Sequence, residues 1–162
     1  MSSSNLYKAM KLATDLHSDK DRTGEPSIMH PLSVMLGVEG ESEKVVAMLH
    51  DTIEDTPATL EDLRLLGFAP EIVAAVEAMT HHEDESYADY LVRCKADPIA
   101  RRVKQADIEH NFNLPRTLFR PTRLADDLDR LRRYVLSWQF LGDLLTEEEY
   151  RTAMERCISV DP

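Results

Sequence analysis

The sequence is poor in the residues that mark most specialised chain classes. Its 162 residues include two cysteines, five glycines and eight prolines, and aromatic residues make up 6%. That composition excludes a disulfide framework, a collagen-like repeat and a low-complexity chain. Cys94 and Cys157 stand in no CxxC or Cys/His spacing, so neither a zinc finger nor a redox motif is expected. No run of about eighteen apolar residues occurs, and the opening MSSSNLYKAMKLATDL lacks a basic stretch followed by an apolar one. The expected setting is cytoplasmic, with no membrane partner. Positive charge is also scarce: 19 Lys and Arg face 30 Asp and Glu, a formal net charge of -11. Such a surface repels phosphate backbones and anionic lipid, so nucleic acid is not an expected partner. A small phosphate compound would need clustered Lys and Arg, or a bound metal ion, to overcome that field locally.

What is present is helical periodicity over a length that fits one domain. Strand-type alternation of β-branched residues is almost absent, so the expected class is all-α: a compact single-domain helical fold over residues 1–162. Leu6, Met10, Ala13 and Leu16 form the stripe of a first helix over 4–17, ended by Asp19, Asp21 and Gly24-Glu25-Pro26. Pro31 suits the start of a second, short helix that Gly37 breaks. Ser42 is expected to cap a third, apolar through Val45, Val46, Met48, Leu49 and Ile53 and closed by Thr56-Pro57. Further helices are expected near 59–66, 70–80, 86–96, 98–113, 121–142 and 146–158, divided at glycines and prolines.

Three elements carry candidate chemistry. Residues 50–55 are His-Asp-Thr-Ile-Glu-Asp, at the end of the apolar third helix. If that helix continues, His50 and Glu54 share one face, as do Asp51 and Asp55. Acids at a helix C-terminus oppose the macrodipole, so the cluster reads either as a solvated helix end or as a site. His30 precedes Pro31 at a helix entry. Asp107 lies in RRVKQADIEHNF, on a polar stripe with Arg101, Lys104 and Asn111, where a surface ion pair is the ordinary alternative. Together His30, His50, Asp51 and Asp107 give two imidazoles and two carboxylates from three helices. That donor set suits Mn²⁺, Fe²⁺ or Zn²⁺. His17, His81, His82 and His110 complete no such set and read as ordinary polar residues.

The H…HD…D order resembles the HD phosphohydrolase superfamily. GEPSIMHPLSV (24–34), VVAMLHDTIEDTPATLEDL (45–63) and RRVKQADIEHN (101–111) resemble the hydrolase domain of RelA/SpoT-type alarmone enzymes and their small stand-alone relatives. The similarity covers about residues 5–116, with the helices of 121–158 expected to pack on that core. It implies an HD-domain fold and cleavage of the 3′-pyrophosphate of (p)ppGpp, without alarmone synthesis. It further implies that His30, His50, Asp51 and Asp107 hold one Mn²⁺, or another divalent transition metal, which activates a water. Glu54 and Asp55 match the acidic pair that handles that water, with Glu54 the expected base. Lys104 and Asn111 match substrate-facing positions; Arg22 and Arg116 are candidates for nucleotide contact.

Some positions depart from the resemblance. The loop after His17 is one residue shorter, Asp21 stands where an Arg is usual, Ser27 replaces a Tyr, and Asn113-Leu114 replaces an Arg-Thr ending. These touch recognition rather than metal binding. They leave ppApp, the 2′-phosphate of NADPH or another nucleotide open as substrate, and a non-catalytic nucleotide-sensing module as an alternative. Oligomeric state is not legible in the sequence.

Overall fold

The structure is a computed structural model that describes residues 4–17, 19–21, 24–113 and 124–158. Among the described residues there are helices and no strand, as the periodicity implies; one isolated bridge pairs Lys20 with Pro26. No helix among them is long and apolar enough to cross a membrane.

Helix α3 (Glu41–Leu49) is the axis of the fold. Val45, Val46, Ala47, Met48 and Leu49 are all buried, so the helix is apolar on every side along its second half. It packs against α1 (Asn5–Leu16), α2 (Met29–Leu36), α6 (Pro70–Met79) and α8 (Pro98–Asn111). Truncating a residue such as Leu49 to Ala would cost about 2–5 kcal/mol. Helix α7 (Tyr87–Ala96) packs on α6 and α8, and α5 (Leu60–Leu65) on α6.

The caps are readable in the residues. Asp97 accepts from the backbone N–H of Ile99 and Ala100, with Pro98 at the first helical position of α8. Thr59 and Asp62 form a reciprocal capping box on α5. Ser42, however, does not cap α3. Gly40 holds that position and Glu41 starts the helix, which places Glu41 and Glu43 in the first turn, where acids suit the dipole.

The expected continuous helix through residue 55 is broken. The α-helix stops at Leu49, His50 and Asp51 form a turn, and a four-residue helix α4 (Thr52–Asp55) follows. Asp51, at φ -93° and ψ -3°, is displaced from ideal helical angles. His50 and Glu54 therefore do not share a helical face. Similarly, Pro31 is the third residue of α2 rather than its first.

The remaining helices are α9 (Leu124–Leu141) and α10 (Glu147–Ile158), which pack on each other and on α7. Phe140 stacks on Tyr150 at 4.4 Å. Arg101 leaves the expected polar stripe to close this unit: its Nε donates to the Leu141 carbonyl at 2.7 Å, and its guanidinium pairs with Asp143. The residues 121–123 expected in this helix lie outside the described residues, as do Arg22, Leu114 and Arg116.

Candidate metal centre and cavity

Three elements bring the site together. Helix α2 supplies His30, the turn between α3 and α4 supplies His50 and Asp51, and α8 supplies Asp107. The loop from Asp19 to Ser27 sets the approach to α2. Gly24, at φ +86°, donates its N–H to the Asp21 carbonyl, and Ser27 ties both its N–H and its hydroxyl to the Asp19 carbonyl at 2.8 Å.

His30 Nε2 lies 3.1 Å from His50 Nε2, 3.3 Å from Asp51 Oδ2 and 3.1 Å from Asp107 Oδ1. His50 Nε2 lies 3.0 Å from Asp51 Oδ1 and 3.8 Å from Asp107 Oδ1. One donor atom from each of His30, His50 and Asp107 falls within 4.8 Å of the others. Ligands bonded to one ion at about 2.1 Å stand about 3 Å apart, so the donor set fits a divalent transition metal.

The surrounding bonds fix how these groups point. His50 Nδ1 donates to the Ala47 carbonyl at 2.7 Å, which leaves Nε2 with a lone pair when the ring is neutral. His30 Nδ1 lies 2.8 Å from His110 Nδ1. For His30 Nε2 to offer a lone pair, its Nδ1–H must be donated to His110. Asp107 is held on both oxygens: Asn111 donates to Oδ1 at 2.6 Å and Lys104 Nζ to Oδ2 at 2.9 Å.

Charge is concentrated here on buried side chains. Burial alone would lower the His50 pKa, but Asp51 and Asp107 outweigh it and raise it to about 9. Burial would raise Asp107, yet Lys104 and the two histidines hold it well below the usual carboxylate range. Asp107 and the Tyr90 and Tyr87 oxygens likewise keep Lys104 charged despite burial.

A cavity of about 540 Å³ opens over these groups. His30, Asp51, Asp55, Lys104, Asp107 and Asn111 lie on its wall, together with His17, Asp19, Lys20, Asp21, Ser27, Tyr87 and Tyr134. The volume is in the range of small-molecule sites.

No family model matches the chain. A guanosine-3′,5′-bis(diphosphate) 3′-pyrophosphohydrolase of Aquifex aeolicus is 31% identical over 116 residues, which cover 63% of this chain and 16% of that protein. A GTP pyrophosphokinase of Brucella ovis is 41% identical over 123 residues, covering 66% of this chain and 16% of that protein. The chain thus spans about one sixth of these curated relatives. A solved metazoan ortholog of SpoT, which hydrolyzes ppGpp, superposes with a TM-score of 0.63 at 19% identity, over 98% of this chain and 96% of that one. The chain shares the fold of that SpoT ortholog.

The four residues expected to hold a metal converge, and Lys104 and Asn111 reach the cavity while also gripping Asp107. The acidic pair divides. Asp55 lines the cavity, its pKa raised by burial and by Asp51. Glu54 accepts the His81 backbone N–H on Oε1, and its pKa is raised by burial with Asp51 and Asp55 adding, against His81 and Lys104.

Two histidines expected to be ordinary polar residues lie beside the candidate centre through their rings or position, and a third, His81, through its backbone N–H alone. His110 backs His30, His17 lines the cavity, and His81 holds Glu54. The signals existed: His110 follows Asp107 by three positions, and His17 continues the buried row of Ala9 and Ala13 at steps of four.

Proposed function

We propose that this chain is a metal-dependent phosphohydrolase that releases the 3′-pyrophosphate of (p)ppGpp, with Mn²⁺ at His30, His50, Asp51 and Asp107. The observation that carries the reading is the approach of two buried imidazole nitrogens and two carboxylates at the floor of a nucleotide-sized cavity. The relatives named for that activity support it.

A divalent transition metal held there supplies Lewis acidity to a phosphoryl oxygen and acidifies water. The protein supplies the rest. His50 and His30 keep Nε2 toward the site through their Nδ1 partners, Ala47 and His110. Lys104 and Asn111 hold the Asp107 carboxylate and present polar edges to the cavity, and Lys20 adds a second cation on its wall. Asp55 faces the cavity with a raised pKa, suited to taking a proton from the attacking water. Glu54, fixed by His81, stands next to it as the second member of the pair. Tyr87 and Tyr134 give the wall aromatic surface for the nucleoside.

A second reading, hydrolysis of a different nucleotide, is favoured by Asp21 and Ser27, both of which line the cavity. A carboxylate at position 21 seeks hydrogen-bond donors on the base. We further read residues 1–162 as one unit, since α9 packs on α8 and α10 packs on α7. We assign it to the cytoplasm.

The test is phosphate and pyrophosphate release from ppGpp, pppGpp, ppApp, NADPH and ordinary nucleoside triphosphates, with Mn²⁺ and after chelation. Metal-dependent pyrophosphate release from ppGpp and pppGpp alone is the expected result. Turnover of another compound would change the substrate, and no turnover by metal-loaded protein would leave a sensing module in its place.

A further inference from the structure

His30 and His110 meet nitrogen to nitrogen. Their Nδ1 atoms stand 2.8 Å apart, their ring centroids 5.0 Å apart, and the ring planes differ by 27°. The centroid separation exceeds the nitrogen separation by about the width of an imidazole ring, so both nitrogens lie close to the line between the ring centres. Each Nδ1 therefore aims its proton or lone pair at the other, the straight geometry of a hydrogen bond rather than the offset of stacked faces. Among the described residues Nδ1 of His30 has no other partner, and His110 is not on the cavity wall. His110 reaches the centre only through His30.

The two imidazoles of the centre differ in what stands behind them. His50 Nδ1 faces the Ala47 carbonyl, which can only accept, so that ring carries a proton on Nδ1. His30 Nδ1 faces an imidazole nitrogen, which accepts or donates according to its tautomer. Were His110 the donor, the proton of a neutral His30 would sit on Nε2, among His50 Nε2, Asp51 and Asp107, and the lone pair a metal needs would be gone. With His110 as acceptor, that lone pair is free.

We propose that His110 is a positioning residue that sets the metal affinity of the site, by accepting the Nδ1–H of His30 on its own Nδ1 and so keeping His30 Nε2 available as a ligand. The inference rests on the metal-centre reading and deepens it. Helix α8 then serves the centre twice, directly through Asp107 and, one turn further on, through His110 behind His30. The straight bond also fixes the direction of the His30 ring, whose rotamer freedom a metal would otherwise have to remove.

The test is calorimetric Mn²⁺ binding to the full chain, with melting of the metal-free chain as an independent readout, in wild type, His110→Asn, His110→Gln and His110→Leu. Asn carries its amide oxygen as many bonds from Cβ as His carries Nδ1, whereas Gln carries it one bond further out. The expected result is Mn²⁺ binding about 10- to 100-fold weaker in His110→Leu and His110→Gln, with most of the affinity kept in His110→Asn. Equal affinity in all four proteins overturns the proposal while leaving His30 as a ligand. An equal loss in Asn, Gln and Leu overturns it too, because the acceptor at the Nδ1 position would then be irrelevant. A loss of binding that follows the metal-free melting point from variant to variant assigns His110 to packing instead. Should His110→Leu fail to fold, Asn against Gln decides: tighter binding by Asn supports the role, and equality removes it. Failure of wild type to bind Mn²⁺ sinks the metal centre and this inference together. Binding that depends on His110 in a chain that turns over no nucleotide supports the inference and overturns the proposed activity alone.

Discussion

The Nε2 atoms of His30 and His50 face each other at 3.1 Å, on residues only 8% and 2% exposed. Two lone pairs at that distance repel, so the arrangement requires something positive between them, a proton or a metal ion. Carboxylate oxygens of Asp51 and Asp107 stand within 3.0 to 3.3 Å of one or other nitrogen, which strengthens the demand. The site is therefore a place where protons and a metal compete.

Wild-type protein loaded with Mn²⁺ and desalted should retain one ion per chain by elemental analysis, and His50→Ala should retain less than about a tenth of that. Saturation at a hundred times Kd adds about 2.7 kcal/mol of stability. For a domain of this size that corresponds to a melting shift of about 5–10 °C. Chelation should remove the shift in wild type and change nothing in His50→Ala. Equal metal content in both proteins would exclude His50 as a ligand.

The competition predicts a pH dependence with a definite sign. In the metal-free chain His50 titrates near 9, against an ordinary value of 6.5. Its charged form therefore stabilises the fold fully below pH 6.5, and that contribution is lost as the pH rises through 9. The loss is at most about 3 kcal/mol. Chelated wild type should accordingly be more easily unfolded by urea at pH 9.5 than at pH 6.5, and His50→Leu should show a smaller difference. With metal bound, the ion takes the proton's place, and apparent metal affinity should rise with pH up to about 9. A chelated chain that gains stability over this range would contradict the assignment.

The convergence of His30, His50, Asp51 and Asp107 was legible because their order and neighbours are linear features: His30 before Pro31, the His50-Asp51 pair, and Asp107 within RRVKQAD. The break at His50-Asp51 was not. Every residue from Val45 to Ile53 is compatible with a helix, and only the tertiary demand that His50 turn toward His30 ends it. The partition of Glu54 and Asp55 depends on that break, since four-residue spacing on an unbroken helix would have paired Glu54 with His50. Arg101 reads as part of the polar stripe of α8, but the carbonyl at the end of α9 lies within its reach. That partner is forty residues away and leaves no trace in local spacing.

Asp107 and Lys104 should show strong coupling. Asp107 is buried and the Lys104 side chain largely so, and Lys104 Nζ has Asp107 Oδ2 at 2.9 Å and the Tyr90 ring centroid at 5.1 Å. Asp107→Ala leaves a buried ammonium without its anion, a loss of about 3–5 kcal/mol in urea unfolding. Adding Lys104→Met should restore most of that stability, because the pair is then replaced by apolar surface. Metal content should stay low in the double variant. Recovery of stability without metal separates the ligand role of Asp107 from its structural one.

Asp55→Asn and Glu54→Gln keep shape and remove charge, so each should retain metal while slowing turnover. Removing a general base costs about 10²- to 10⁴-fold in kcat. Asp55, on the cavity wall, should show the larger effect, and Glu54→Gln a smaller one, since its Oε1 already serves His81. A larger loss in Glu54→Gln would return the base to Glu54.

Arg93 acts at a distance on the same pair. Its guanidinium donates to the Glu77 and Thr80 carbonyls at 2.7 Å and pairs with Glu85, so it clamps the end of α6 to the segment that precedes α7. That segment contains His81, whose N–H holds Glu54. Arg93→Met keeps most of the side-chain volume but frees two carbonyls and Glu85, and the segment should lose its fixed register. Turnover should fall about tenfold through kcat, because a small displacement of a positioned group has that order of effect. Metal content should match wild type, since the Arg93 guanidinium bonds Glu77, Thr80 and Glu85, none of which belongs to the candidate metal centre. Hydrogen exchange at residues 80–86 should rise in the same variant. A drop in kcat without that rise would place the effect of Arg93 elsewhere than in the segment that carries His81.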